Sequence, residues 1–281
     1  NTAKFSGKIK AEGGQGGKGG FVETSGKKHI EIADSTRVST QAKGGQTGRW
    51  LLDPDDLIVD DIANGGNVSA DTIVTSLAQT NFELVTGDGS SGNGDIVVRQ
   101  AITWDSGNTL SLLAARNIAI NAAITGRNGG LTLTPAAAGQ VTTGAAGAID
   151  VGTFTLTQGT WNQIGPALPS FAARDFRVAS GANFARLFGG DGSAGAPWLI
   201  GDVYGLQGLN GLAVTGGPNG AQSFALGRDI DATGTRLWND GEGFVAIRGL
   251  VGAFDGVGHV IDGLTINRPG VGYQGLFYDT T

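Results

Sequence analysis

The chain has 281 residues, a formal net charge of −6 and neither cysteine nor methionine. That excludes a disulfide framework and a thiolate metal site, and it is not the basic footprint of a nucleic-acid binder. No apolar run approaches the roughly 18 residues of a membrane-spanning helix, and no signal peptide is present.

Glycine contributes 51 residues, proline only 7, and the hydrophobic share is 40%. Glycine-rich disorder is the weaker reading, because β-branched and Leu positions recur in step with the glycines. Glycine instead suits tight corners between short strands, where positive φ is needed. A chain without cysteine is compatible with the cytosol. It equally suits passage across an outer membrane unfolded, since oxidation cannot trap it.

Residues 1–50 are locally basic through Lys4, Lys8, Lys10, Lys18, Lys27 and Lys28. Short strands are expected over 21–24, 29–32 and 37–40. In the second of these Ile30 and Ile32 alternate with Glu31, which puts aliphatics on one face and the carboxylate on the other. Residues 13–20 read as turns. Further strands are expected over 50–52, 57–59 and 82–85. Residues 71–79 have the one reasonable helical pattern, with Ile73 and Leu77 on a shared face.

Between 95 and 157 three apolar phrases return about every 22 residues. Asp95-Ile96-Val97-Val98, Asn117-Ile118-Ala119-Ile120 and Gln140-Val141-Thr142-Thr143 form one series. Ala101-Ile102-Thr103, Ala123-Ile124-Thr125 and Ala148-Ile149-Asp150 form a second. Leu110-Ser111-Leu112, Leu131-Thr132-Leu133 and Phe154-Thr155-Leu156 form a third. Three short strands per repeat in fixed order describe one turn of a parallel β-solenoid.

Residues 158–205 break the period and hold Pro166, Pro169 and Pro197 with seven aromatic residues. The expectation is an irregular, aromatic-rich excursion packed on the rod, with β-helix coils over 1–157 and again over 206–281. About ten coils, each rising one strand spacing, would give a monomeric rod of roughly 50 Å. The chain, which begins at Asn1 and stops mid-phrase at Tyr278-Asp279-Thr280-Thr281, reads as an internal piece of a longer protein.

Gly19-Gly20-Phe21-Val22-Glu23-Thr24-Ser25-Gly26 followed by Arg49-Trp50-Leu51-Leu52-Asp53-Pro54 resembles the filamentous-haemagglutinin-like exoproteins of Gram-negative bacteria, high-molecular-weight adhesins included. Two later passages extend the resemblance over most of the chain. Asp202-Val203-Tyr204-Gly205-Leu206-Gln207-Gly208-Leu209 leads to Ala225-Leu226-Gly227-Arg228-Asp229-Ile230-Asp231-Ala232. Phe254-Asp255-Gly256-Val257-Gly258-His259-Val260-Ile261-Asp262-Gly263 then precedes Gly275-Leu276-Phe277.

The resemblance implies right-handed parallel β-helices that are exported through an outer-membrane transporter barrel by two-partner secretion. It implies a secreted or cell-surface location and roles in adhesion, biofilm, contact-dependent killing or haem capture. The partners implied are that barrel, through a region outside this chain, and a host or bacterial surface glycan or protein. No nucleic acid, membrane insertion or cofactor is expected.

Candidate sites each have two readings. Asp53, Asp55, Asp56, Asp60 and Asp61 could offer oxygen ligands to Ca²⁺, or be a solvated turn entering a strand; no Asp-x-Asp-x-Asp-Gly loop is present. Asp229 and Asp231, with Asp255 and Asp262, could form the acid pair of a carbohydrate-active β-helix, or belong to a non-catalytic module. His29 and His259 stand alone, without a nucleophile motif or a metal set. Residues 14–19 match GxGxxG by letter without the strand and helix that would give the match meaning.

Asn67-Val68-Ser69 is an N-x-S sequon. Trp161, Phe171, Arg174, Arg177 and Trp198 could form a recognition surface on the excursion, or those aromatics could pack it onto the rod. The sequence thus points to a non-enzymatic display segment of a secreted surface adhesin. The alternatives are a carbohydrate-active enzyme and a specific binding module in 158–205.

Overall fold

The computed structural model describes residues 2–26, 28–87, 92–213, 222–250 and 252–278; Asn1, Lys27 and residues 279–281 lie outside them. The fold is all-β, a right-handed parallel β-helix. It divides into two compact units. The first is Asn1–Thr160 with Pro169–Ala173 and Ala179–Gly181, and the second is Trp161–Leu168 with Arg174–Val178 and Ala182–Thr281.

In the first unit, strands Phe21–Gly26, Arg49–Pro54, Asn81–Val85, Thr109–Leu113, Ile124–Thr134 and Ile149–Leu156 stack in parallel as one sheet. A second sheet stacks Leu57–Val59, Ile96–Val98, Ile118–Ile120 and Gln140–Thr143. All three apolar series pair residue for residue as the repeat expects. Ile96 meets Ile118, which meets Val141. Ile102 meets Ile124 and then Ile149, and Leu110 meets Leu131 and then Phe154.

Alternation turns each inward column into core. Val22, Trp50, Phe82, Leu110, Leu131 and Phe154 form one buried column, and Leu52, Leu84, Leu112, Leu133 and Leu156 another. Each such side chain contributes about 1.5–3 kcal/mol by leaving water. Their partners in sequence point outward and stay polar for the most part.

The earliest coils are longer than 22 residues, since Val22 pairs with Trp50 and Trp50 with Phe82. Two insertions account for this. The first is the turn segment 42–48, laid against the turns of 13–20 in the coil before it: Gly13 bridges Ala42, and Gly16 N–H donates to Lys43 O at 2.9 Å. A Cβ at Gly48 would stand 2.0 Å from Gly20 O, so only glycine lets these two corners stack. The other insertion is helix α1, Ala70–Leu77, within the 71–79 expectation to about one residue at its start. Ser69 caps it, its hydroxyl accepting from Thr72 N–H at 3.2 Å, and Ile73 and Leu77 bury its apolar face.

A polar ladder runs along the corner that enters the second sheet. Asp56 Oδ1 accepts from Asp95 N–H at 3.1 Å, Asp95 Oδ1 from Asn117 N–H at 3.1 Å, and Asn117 Oδ1 from Gln140 N–H at 2.9 Å. Each coil thereby satisfies a corner donor of the next. The Arg116 guanidinium, bonded to the Asp95 carboxylate, and the Asn117 backbone N–H hold that carboxyl below its ordinary range against its partial burial.

A depressed folded-state pKa makes Asp95 stabilising above its ordinary unfolded value, and that contribution is lost as pH falls through the folded value. Asp95→Asn keeps an oxygen for Asn117 but loses the charge. Melting temperatures taken from pH 7 to pH 3 are expected to fall less steeply for this variant than for the wild type.

The stretch 158–205 differs from its expectation as an irregular excursion. It contains strands Gly159–Ile164, Phe171–Val178, Ala182–Leu187 and Trp198–Ile200. Its segments are shared between the two units rather than standing apart. In the second unit its Trp161, Phe176 and Phe184 are core. Phe176 packs on Phe184, Tyr204 and Trp238 with ring centroids 5.1–5.2 Å apart, and Trp161 packs edge-on to Phe184 at 5.6 Å. Aromatic bulk here replaces the Ile and Val of the earlier coils, which hides the period.

Parallel pairing resumes with Trp198–Ile200, Gln222–Leu226 and Gly252–Asp255, and with Ile230–Asp231 beside Ile261–Asp262. Between them lies helix α2, Val203–Ala213, where the sequence suggests only coil strands. Three glycines at every third position argue against a helix by propensity, at about 1 kcal/mol each relative to Ala. Packing overrides that. A Cβ at Gly205 would stand 2.3 Å from Arg186 O, and one at Gly208 would stand 2.7 Å from Phe184 O. The glycine face lets the helix backbone lie on strand Ala182–Leu187.

Gly205→Ala is therefore expected to destabilise the protein by about 1–3 kcal/mol, the cost of overpacking, although Ala favours helix. A urea midpoint that rises instead would refute the close approach.

Candidate functional site

The first unit has an open groove of about 470 Å³ across the outward face of its long sheet, lined by residues that include Phe21, Thr47, Arg49, Asn81, Glu83, Thr109 and Ser111. Parallel register puts these side chains together. Phe21, Arg49, Asn81 and Thr109 each precede a buried residue on successive coils, so all four face outward in one row. Leu51, Glu83 and Ser111 form the adjacent row.

Phe21 is 50% exposed, which is unusual for a large apolar ring on such a polar face. The Arg49 guanidinium sits 4.7 Å from its centroid and 3.4 Å (Nε) from Glu83 Oε2. Arg49 is thus held between a ring and a carboxylate. Asn81 is committed to the floor: its Nδ2 donates to Gly48 O at 2.9 Å and to Thr47 O at 3.1 Å, and its Oδ1 accepts from Thr109 N–H at 2.9 Å. Gly19, Gly20 and Gly48 keep the groove's end open.

Another open hollow, of about 420 Å³, lies on the second sheet among Asp95, Asn117, Gln140 and small side chains. The carboxylate and amide oxygens there are already used by the corner ladder.

The five residues expected as a recognition surface take different roles. Trp161 is fully buried and Phe171 nearly so, because each occupies an inward position of its strand. Trp198 is half-buried, its Nε1–H donating to Gln222 Oε1 at 3.0 Å. Arg177 bonds to Asp175 at 2.8 Å through Nε and to Asp240 at 2.5 Å through Nη2. Arg174 is exposed. Phe171 belongs to the first unit and the other four to the second.

The acid candidates serve turns. Asp229 Oδ1 accepts from Val260 N–H and lies 3.0 Å from His259 Nδ1. Asp231 Oδ1 accepts from Thr233 N–H at 2.9 Å and from its hydroxyl at 2.6 Å, and Asp255 likewise accepts from Val257 N–H at 2.8 Å. The Val260 N–H, then His259, hold the Asp229 carboxyl below its ordinary range, and the Thr233 hydroxyl and N–H do the same for Asp231. A general acid at neutral pH needs the opposite shift.

Asp53 moves upward instead, through burial first and then the charges of Glu23 and Asp55. Asp56 is engaged by the corner ladder and Asp60 by Asn64 and Asp61 N–H. Among the described residues no group of three His, Asp or Glu side chains is placed to hold a metal ion. Asn67 is 1% exposed, with Nδ2 donating to Ile30 O at 3.0 Å and Oδ1 accepting from Ile58 N–H at 2.7 Å. The sequon is therefore closed to a glycan in the folded chain. His29 meets that same amide, its Nδ1 lying 3.0 Å from Asn67 Nδ2.

No helix among the described residues is long and apolar enough to cross a membrane. No family model matches the chain, and no solved structure matches it. It is similar to Halomucin of Haloquadratum walsbyi, at 39% identity over 90 residues. That likeness covers 29% of this chain and 1% of Halomucin.

Proposed function

We propose that this chain is a non-enzymatic display segment of a large secreted bacterial surface adhesin, exported by two-partner secretion and serving attachment to cells, surfaces or other bacteria. The observation that carries this reading is the outward groove around Phe21 and Arg49. It is a half-exposed aromatic ring fixed on a rigid parallel sheet, which suits contact rather than chemistry. The use of Asp229 and Asp231 in turns supports binding over turnover. The likeness to a short stretch of a much longer protein agrees with a role as one segment among many.

Beads coated with the chain are expected to be retained on an array of immobilised glycans and cell-surface proteins. The Asp229→Asn, Asp231→Asn double variant is expected to be retained equally. New reducing ends released from an array glycan by the wild type, and not by the double variant, would establish the enzyme alternative. Retention on nothing would remove the adhesive role.

A further inference from the structure

We infer that the groove binds an uncharged polysaccharide running across the strands, one sugar unit per coil. This rests on the adhesive reading and specifies its ligand.

Three features of the groove lead there. The first is the ring. Phe21 leaves half its surface in water while Arg49 covers it from one side, so its position is fixed before any ligand arrives. Aromatic faces pack on the C–H faces of sugar rings, and a preorganised ring loses little entropy in doing so.

The second is spacing. Successive coils place outward side chains about 4.8 Å apart, close to the length of one unit in an extended β-linked polymer. From Phe21 the path runs over Arg49 and Glu83 to the hydroxyls of Thr109 and Ser111. The adjacent outward row continues through Thr132 and Thr155 on the next two coils. Hydroxyls and a carboxylate in line can donate to and accept from sugar hydroxyls, directly or through water.

The third is charge. Arg49 is the groove's cation and Glu83 already neutralises it. Glu23 and Asp53 stand on the same outward face, and the mutual repulsion that helps raise the Asp53 pKa marks that face as negative. An anionic polymer such as a polyuronate would be repelled, whereas a neutral glucan, xylan or mannan would not.

Affinity gel electrophoresis of the whole chain tests this, with neutral polysaccharides (β-glucan, xylan, mannan) and polygalacturonate cast into separate gels. Retardation is expected in at least one neutral gel and not in polygalacturonate. Phe21→Ala, an exposed position whose loss spares the core, is expected to weaken that retardation at least 10-fold with an unchanged melting temperature. Retardation by polygalacturonate alone, retardation indifferent to Phe21→Ala, or none in any gel would overturn the inference. Bead retention on array proteins alongside failure in every gel would leave adhesion standing and remove only the polysaccharide.

Discussion

Trp50→Ala is expected to lower stability by about 3–5 kcal/mol, read as a fall in urea midpoint at constant slope. Trp50 is fully buried in the central column of the first unit, edge-on to Phe82 with centroids 4.8 Å apart. Its indole N–H donates to Thr24 Oγ1 at 3.0 Å, so the ring ties together three successive coils. Truncation opens a cavity bounded by stacked backbone, which cannot collapse without breaking the parallel ladder. Trp50→Phe keeps most of the volume and loses the hydrogen bond, so it should cost nearer 1 kcal/mol. Equal losses for the two variants would mean that the column is not close-packed at this level.

Asp202→Ala is expected to cost about 3–5 kcal/mol in the second unit. Asp202 has two tasks. Its Oδ1 accepts from Gly205 N–H at 2.8 Å, capping α2, and its Oδ2 accepts from Arg186 Nε at 2.7 Å. Arg186 is only 4% exposed, and it also donates to Gln163 Oε1. Removing the carboxylate takes this counter-charge from a buried guanidinium, a larger loss than the ~1 kcal/mol of the cap. Asp202→Asn separates the tasks, since an amide oxygen can still cap the helix but brings no charge. The double variant Arg186→Leu, Asp202→Asn should recover much of the loss. Full stability of Asp202→Ala would refute the buried pair.

Where the chain keeps a steady period, its register is written in the sequence. Ile96, Ile118 and Val141 stack as their spacing predicts, as do Ile102, Ile124 and Ile149, because the coils between them stay close to one length, with the one register shift, between Gly126 and Gly130, absorbed locally as a bulge. The period is lost where packing replaces pattern. Phe176, Trp161 and Phe184 fill the core of the second unit with rings, so strands there lack the aliphatic phrases that identify them elsewhere. Helix α2 is hidden for another reason: Gly205 and Gly208 are poor helix formers, and only the approach to Arg186 O and Phe184 O explains them.

The groove was legible in principle. Phe21, Arg49, Asn81 and Thr109 each stand immediately before a core residue, and reading that outward column down the stack brings them together. The irregular length of the first coils conceals the alignment, whereas aromatic richness draws attention to 158–205. The corner ladder was equally available as the residue preceding Ile96-Val97-Val98 and Ile118-Ala119-Ile120, in Asp95 and Asn117.

The most direct measurement is retention of chain-coated beads on the glycan and protein array for the wild type, Phe21→Ala, and Arg174→Ala with Trp198→Ala. Retention that falls at least 10-fold with Phe21→Ala and persists in the Arg174, Trp198 double variant is the predicted result. Retention that survives Phe21→Ala and is lost in the double variant would contradict it, placing recognition in 158–205 instead of on the first sheet.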